Sequence, residues 1–143
     1  MGGSEHTVSG HQYPAEVHLV HVREDYVNDI SAALADPSGL SVLGIFIEGG
    51  ANSTEVDTTW FDVISNASKA IVDSGDYTTR VSGIEMNLND FVHRINPTFE
   101  SEFNYWHYEG SLTTLDCNEA VMWLVAEHPI KVTDDQVSNQ KST

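Results

Sequence analysis

Ala-Glu-Val-His-Leu-Val-His-Val, residues 15–22, is the stretch that decides the fold of this chain. Polar and apolar residues alternate along it with a period of two, which predicts a half-buried β-strand. Because successive side chains of a strand leave opposite faces, Glu16, His18 and Val20 share one face. A carboxylate beside an imidazole is how a metal-binding histidine is often held, and a strand histidine held by an ordinary hydrogen bond gives the same pattern.

The residues after this strand predict a turn, a second strand and a helix. Residues 36–39, Asp-Pro-Ser-Gly, are typical of a turn. The continuous apolar run Leu40–Ile47 has the length of a buried strand and ends at a pair of glycines. From Val56 to Val72 the apolar spacing becomes helical, and Gly75 ends the predicted helix.

The last third of the chain predicts shorter elements. Leu88–Phe91 predicts a short element that ends before Asn96-Pro97, and Val121–Val125 fits a helix or a strand equally well on pattern alone. Residues 133–136, Thr-Asp-Asp-Gln, have the form of a capping box that opens a helix. Together these elements predict a mixed α/β fold, dominated by strands, with helices on the outside.

Composition limits the class of partner. The chain has 143 residues, which suits one domain, with 6 basic and 22 acidic residues and a net charge of −16. This balance argues against nucleic acid and anionic membranes as partners. No apolar stretch approaches the roughly 18 residues of a membrane span, and the polar, glycine-rich first ten residues do not have the pattern of a signal peptide.

Several blocks of sequence carry a family resemblance through their order and spacing. Besides residues 15–22, they are Ser4-Glu5-His6-Thr7-Val8, Gly39–Phe46, Tyr105–Thr114 and Cys117–Trp123. Together they resemble an α-type carbonic anhydrase. The resemblance implies that residues 1–143 are a partial domain of this family. The expected fold is part of its large, mainly antiparallel twisted central sheet, with peripheral helices.

The resemblance also implies a zinc site. Family members bind catalytic Zn2+ through three histidines, of which the third corresponds to His18. Glu16 corresponds to the carboxylate that accepts the proton of that histidine's other ring nitrogen. The first two histidines form a His-x-His pair, and no such pair occurs in this sequence. The resemblance implies that the pair lies upstream of Met1 and that the family's last strands lie beyond Thr143, so the 143-residue chain alone is expected to be inactive, and marginally stable.

The reaction that the resemblance implies is the reversible hydration of CO2 to bicarbonate and a proton. Thr113 resembles the threonine that orients the attacking oxygen toward CO2, and Glu5 resembles the carboxylate that receives the threonine's proton. The implied substrate pocket consists of Val20, Val42, Leu112, Thr114 and Trp123. His6 and His21 are expected to be structural histidines with buried hydrogen bonds.

Three features lead to an expected location outside the cell. In secreted members of the resembled family a cysteine at the place of Cys117, the only cysteine here, pairs with one near the N-terminus. Asn52 and Asn66 each begin a glycosylation sequon. The sequence therefore predicts a secreted glycoprotein in which Cys117 is a disulfide half.

Three functions remain open at the level of sequence. The first is a zinc carbonic anhydrase, and the second is a non-catalytic relative used as a binding or matrix protein. The third, a secreted cation-binding protein, is disfavoured because the negative charge is scattered rather than dense. The oligomeric state stays open.

Overall fold

The computed structural model describes residues 3–50, 61–62 and 103–140. Strands dominate these residues, as predicted. In chain order the elements are β1 (Thr7–Val8), β2 (His11–Gln12), β3 (Ala15–Val22), a 3-10 turn (Glu24–Tyr26), α1 (Ile30–Ala35), β4 (Leu40–Glu48), β5 (Tyr105–Gly110), β6 (Val121–Ala126), β7 (Ile130–Lys131) and α2 (Asp134–Gln140).

The main sheet has the strand order β3-β4-β6-β5, and β7 pairs with the far end of β4. The pairs β3–β4 and β5–β6 are antiparallel, whereas β4 runs parallel to β6 and β7. The predicted strands at 15–22 and 40–47 are confirmed, and residues 121–125 form a strand rather than a helix. The sheet is therefore a mixed one, and its central strand β4 is mostly buried.

The two faces of the sheet carry separate apolar clusters. One face packs Ile45 and Ile47 of β4 against Val137 of α2 and the buried Phe61. The other face packs Val42 of β4 against Trp123 of β6. Since side chains alternate along a strand, Glu16 and His18 share the face of Val42 through the β3–β4 register. That face carries the candidate site.

A small hairpin precedes the main sheet. Strands β1 and β2 are joined by Ser9 and Gly10, whose φ angles are 51° and 82°. Two residues with positive φ make the type of turn that fits the twist of a hairpin. The hairpin base is closed by a backbone hydrogen bond of 2.8 Å from Ser4 to Tyr13. This closure fixes the segment that carries Glu5 and His6.

The connection from β3 to β4 contains α1 and the predicted turn at residues 36–39. Asp36 accepts hydrogen bonds from Arg23 at 2.8 Å and from Tyr26 at 2.7 Å. Gly39 must remain a glycine, because an added Cβ would lie 1.9 Å from the backbone oxygen of Ala33. The turn therefore closes tightly against α1 and sets the start of β4.

Helix α2 begins with the predicted capping box, which is confirmed. The backbone N–H of Thr133 donates to the Gln136 side chain at 2.9 Å, and the backbone N–H of Gln136 donates to the Thr133 hydroxyl at 3.3 Å.

The predicted helix at 56–72 falls outside the described residues, apart from the helical residues 61–62. The predicted element at 88–91 and the sequons at Asn52 and Asn66 lie wholly outside them. Within the described ranges, no helix has the length and apolar character needed to cross a membrane.

Candidate metal centre

Strand β3 holds Glu16 and His18 two residues apart on one face of the sheet. Its register places His18 opposite Gly44 of β4 and Glu16 opposite Phe46. A Cβ at Gly44 would lie 2.8 Å from Oε1 of Glu16. The missing side chain at Gly44 therefore makes the room in which the carboxylate of Glu16 lies beside His18.

Glu16 is the centre of a hydrogen-bonded cluster. Its Oε1 lies 2.6 Å from Nδ1 of His6 and 2.9 Å from Nε2 of His18. Its Oε2 accepts the backbone N–H of His6 at 2.9 Å. The Glu16 side chain is 2% exposed, against 18% for His6 and 23% for His18. Among the described residues, the donors to this nearly buried carboxylate all belong to the two histidines.

These donors determine the charge of Glu16. Burial raises the pKa of the carboxyl, but the hydrogen bond from His18, the backbone N–H of His6 and the ring of His6 outweigh it. They lower the pKa from 4.5 to about 2. Glu16 is therefore ionised at neutral pH, and an ionised carboxylate only accepts hydrogen bonds.

The ionised carboxylate fixes the tautomer of His18. Because Glu16 only accepts, Nε2 of His18 must carry the proton, and in the neutral ring Nδ1 then carries the lone pair. Within residues 3–50, 61–62 and 103–140 no hydrogen bond reaches this Nδ1, and the nearest carboxylate oxygen is Oε2 of Glu5 at 3.9 Å. A neutral imidazole with one nitrogen on a carboxylate and the other free is the usual state of a metal ligand.

Trp123 packs against the two imidazoles of the cluster. Its ring centroid lies 4.8 Å from those of His6 and His18, with steep interplanar angles of 71° and 70°. Its indole N–H donates to the backbone oxygen of Ser111 at 3.1 Å. Trp123 is 2% exposed, so both imidazoles pack against a buried ring.

The apolar residues of the expected pocket are brought together by the sheet register. Val20 of β3 is opposite Val42 of β4, and Val42 is opposite Trp123 of β6. Leu112 packs against the cluster that contains Val42 and Trp123. Val20 is 59% exposed while Val42 is buried. The row therefore offers an open apolar surface next to His18.

The hydrogen-bond relay expected between Thr113 and Glu5 is not formed among the described residues. Thr113 and Thr114 lie in the exposed segment between β5 and β6, and Glu5 is also exposed. Among the described hydrogen bonds none joins Glu5 to Thr113, and Glu5 lies beside His18 instead. The roles of Thr113, Thr114 and Glu5 stay predictions.

The structure adds functional candidates that the sequence did not reveal. His6 was expected to be structural, and its half-buried ring is indeed hydrogen-bonded, but to Glu16 and to the hydroxyl of Tyr108. Tyr108 and Gly44 had no assigned role. His21 is exposed, so the expectation of a buried hydrogen bond is wrong for it. Its side chain leaves the strand on the face opposite to His18.

An alternative metal site would consist of His6, Glu16 and His18 together. Single ligand atoms of His6, Glu16 and His18 lie within 4.8 Å of one another, which geometrically suits an ion. However, the nitrogens that face Glu16 already hold protons in hydrogen bonds of 2.6 and 2.9 Å. An ion there would displace both protons, whereas no hydrogen bond from the described part of the chain reaches Nδ1 of His18. We therefore interpret the three residues as a hydrogen-bonded cluster with one outward ligand.

Glu16→Gln should lower the free energy of unfolding by about 3 kcal/mol at pH 7, because the pKa of Glu16 falls from 4.5 to about 2 on folding. A carboxyl whose pKa is lowered on folding contributes fully above its unfolded pKa and loses the contribution as the pH falls through the folded pKa. The difference from the native protein should therefore shrink between about pH 4.5 and pH 2. Urea unfolding across this range measures it.

Glu109→Gln is the matched control for this prediction, because Glu109 is an exposed carboxylate on β5. It should change stability little at any pH. Equal stability of Glu16→Gln and the native protein at pH 7 would contradict the prediction, as would a difference that persists unchanged at pH 2.

Several known proteins are similar to this chain over nearly its whole length. Carbonic anhydrase 3 of Sus scrofa is 37% identical over 142 residues, covering 98% of this chain and 48% of the relative. Putative carbonic anhydrase 5 of Caenorhabditis elegans is 36% identical over 94% of this chain and 39% of the relative. The mitochondrial carbonic anhydrase 5A of Homo sapiens is 33% identical over 96% of this chain and 40% of the relative. The chain thus spans about half the length of the curated relatives it matches, or somewhat less.

These relatives correct the expected location. They are carbonic anhydrases 3 and a mitochondrial carbonic anhydrase 5A rather than secreted forms, so the prediction of secretion is wrong. Two sequons and a single cysteine are short signals that also arise by chance. Cys117 is an exposed free thiol in the structure. Without secretion, the expected disulfide at Cys117 and the expected glycosylation of Asn52 and Asn66 lose their premise.

The assignment of this chain to a family does not rest on any single relative. The sequence model of the eukaryotic-type carbonic anhydrase family matches residues 1–143, the whole of this chain. The strand-dominated sheet and the Glu16–His18 pair on its face agree with the resemblance carried by the sequence blocks. The chain therefore belongs to the α-type carbonic anhydrases, a family of lyases.

Proposed function

We propose that this protein is a zinc-dependent carbonic anhydrase that hydrates CO2 reversibly, and that His18 supplies one zinc ligand through Nδ1. One observation carries the proposal. Oε1 of Glu16 lies 2.9 Å from Nε2 of His18, and among the described residues no hydrogen bond reaches Nδ1. Zinc accepts neutral imidazole nitrogen in this state, at about 2.0–2.1 Å.

The donor set of these residues fits zinc in part. A catalytic zinc site takes three protein ligands and keeps an open position. The sequence contains no His-x-His pair, so His18 needs further ligands from elsewhere in the protein. Bound zinc would lower the pKa of a coordinated water to about 7 and so supply hydroxide at neutral pH.

The residues around His18 would have separate roles in the reaction. Glu16 keeps His18 in one tautomer and makes its free nitrogen more basic. Thr113, placed on the exposed segment after β5, would accept a hydrogen bond from the attacking oxygen and orient it. Glu5, beside His18, would receive the hydroxyl proton of Thr113 in a hydrogen bond.

The apolar row Val20–Val42–Trp123 would hold the substrate. CO2 has no net dipole and accepts hydrogen bonds weakly, so an apolar surface next to the metal suits it. Leu112 would extend this surface, and Thr114 would contact the bicarbonate product. Val20 is the member of the row that solvent reaches most easily.

Stopped-flow CO2 hydration by the full-length, zinc-loaded protein tests the proposal. We expect activity that removal of zinc abolishes and that added zinc restores. The 143-residue chain should bind zinc weakly and show negligible activity, because it holds one of the family's three ligand histidines. A full-length protein that folds and binds zinc but has no activity would instead support the non-catalytic relative. Activity of the 143-residue chain that His18→Ala abolishes would contradict the ligand count.

A further inference from the structure

We propose that the proton released at this site passes to neutral and cationic buffer bases in preference to anionic ones, because exposed carboxylates make the loop beside the site negative. This preference rests on the proposed function, since it concerns where that reaction sends its proton. Hydration joins the oxygen of water to the carbon of CO2, and one proton of that water must leave on a base B, which becomes BH+. The charge of B therefore affects how often it reaches the site.

The loop between β5 and β6 lies beside the apolar row of the site. Its first residue, Ser111, accepts the indole N–H of Trp123 at 3.1 Å. Leu112 packs against the apolar cluster that contains Trp123. A backbone hydrogen bond of 3.0 Å from Leu112 to Asn118 closes the loop. Charges on the few residues between these two therefore stay close to the apolar row.

Asp116 lies at the tip of this loop. The backbone N–H of Cys117 donates to the backbone oxygen of Thr114 at 3.1 Å, which closes a turn. The φ angle of Asp116 is 84°, in a region that aspartate and asparagine enter more readily than most residues. Asp116 is exposed. It therefore places a negative charge two residues from Thr114, which is expected to contact bicarbonate.

Three more carboxylates lie near the same part of the site. Glu109 at the end of β5 and Glu119 just before β6 line one cleft of about 370 Å3, which also includes Ser111. A cleft lined by charges of one sign concentrates their field. Glu5 is 51% exposed, and its Oε2 lies 3.9 Å from Nδ1 of His18. These carboxylates act through their field and not by binding an ion.

The described part of the chain offers little positive charge to cancel this field. Within residues 3–50, 61–62 and 103–140, the basic residues are Arg23 and Lys131. The guanidinium of Arg23 lies 2.8 Å from the carboxylate of Asp36, and the ammonium of Lys131 lies 3.8 Å from that of Glu48. The whole sequence has 22 acidic and 6 basic residues, so the imbalance extends beyond the loop.

Three bases with the same imidazole ring test the effect of charge: anionic imidazoleacetate, neutral methylimidazole and cationic trimethylhistamine. Stopped-flow hydration by the full-length, zinc-loaded protein is measured where the rate is proportional to buffer. At an ionic strength of about 0.01 M, where the screening length is about 30 Å, the cation should be faster than the anion by roughly 10-fold, the lower end of electrostatic steering. At about 1 M, where this length is about 3 Å, the two rates should converge while the neutral base changes little.

Two double variants separate the charge of the loop from the charge of the whole protein. Asp116→Asn with Glu119→Gln removes two carboxylates before β6, and asparagine also tolerates the positive φ at residue 116. Glu127→Gln with Asp135→Asn is the control, because it removes two exposed carboxylates beyond the opposite end of β6. The loop variant should lower the cation-to-anion ratio roughly threefold, and the control should leave it nearly native. Circular dichroism establishes that both are folded.

Cys117 gives a readout that depends on neither zinc nor activity. Its free thiol is exposed and follows Asp116 directly in the chain. In the full-length protein its thiolate should react with cationic cystamine more slowly as salt is added, and with a dicarboxylate disulfide more quickly. The ratio of the two rates cancels the fraction of Cys117 that is thiolate. The loop variant should weaken both trends, and Cys117→Ser subtracts the reaction of any other thiol.

Two outcomes would overturn the inference: an anionic base as fast as the cationic one at low salt, or an equal effect of the two double variants. Disulfide rates at Cys117 that do not separate with salt would overturn it as well. An inactive full-length protein would refute the proposed function and the acceptor preference together, whereas the rates at Cys117 would still report the charge of the loop. An active enzyme without the preference would keep the proposed function and refute this inference alone.

Discussion

Full-length protein carrying His18→Ala is expected to lose tight zinc binding and CO2 hydration together. Nδ1 of His18 is the nitrogen of the Glu16 cluster that no described hydrogen bond reaches, and a tetrahedral site with two protein ligands holds zinc poorly. The loss of zinc affinity should exceed the roughly 10- to 100-fold expected for Glu16→Ala, which removes a group that holds the ligand rather than the ligand itself. Chelator competition measures affinity, and stopped-flow hydration measures activity.

His21→Ala is the matched control for this experiment. His21 lies on the same strand as His18, but it is exposed and leaves the opposite face. Its replacement should change neither zinc affinity nor turnover. Retention of stoichiometric zinc by His18→Ala at native affinity would show that the metal is held elsewhere. A similar loss in both variants would point to damage to the strand rather than to the ligand.

Thr113→Ala should lower turnover on the order of 10²-fold, because a lost contact that orients the attacking group costs about this much. Zinc affinity should change little, since Thr113 is expected to lie outside the metal's ligands. Glu5→Gln should give a smaller loss of turnover, because it disturbs the same hydrogen bond at one remove. Parallel measurement of zinc dissociation and turnover in each variant tests the assignment.

Thr7→Ala controls for the loss of an exposed threonine hydroxyl, since Thr7 lies in the small hairpin. It should behave like the native protein in both assays. The roles of Thr113 and Glu16 would be reversed if Thr113→Ala released zinc while Glu16→Ala kept it. A turnover of Thr113→Ala within a few-fold of native would leave the threonine with no part in orienting the attack.

Much of the fold could be predicted because its signals are local. The alternation at residues 15–22 and the apolar run at 40–47 are patterns within one strand, and both strands appear in the structure. Strand β5 was missed because five of its six residues are exposed, so the sequence shows no alternation. Helix α1 was missed because its six residues are too few for a helical period to be visible.

In the candidate site, too, only the local features could be predicted from the sequence. The Glu16–His18 pair could be predicted because both residues lie two positions apart on one strand. The bond between His6 and Tyr108 joins residues 102 positions apart, so no local pattern contains it. The need for Gly44 depends on the β3–β4 register, which places it opposite His18. Contacts of this kind follow from strand pairing rather than from any pattern within one strand.

The central claim is that His18 offers Nδ1 to the metal while Glu16 holds Nε2. Anomalous diffraction at the zinc edge from crystals of the zinc-loaded full-length protein tests it most directly. The account predicts zinc at about 2.0–2.1 Å from Nδ1 of His18, with Nε2 still hydrogen-bonded to Oε1 of Glu16. Zinc bound to Nε2 of His18, or lying between His6 and Glu16, would contradict it.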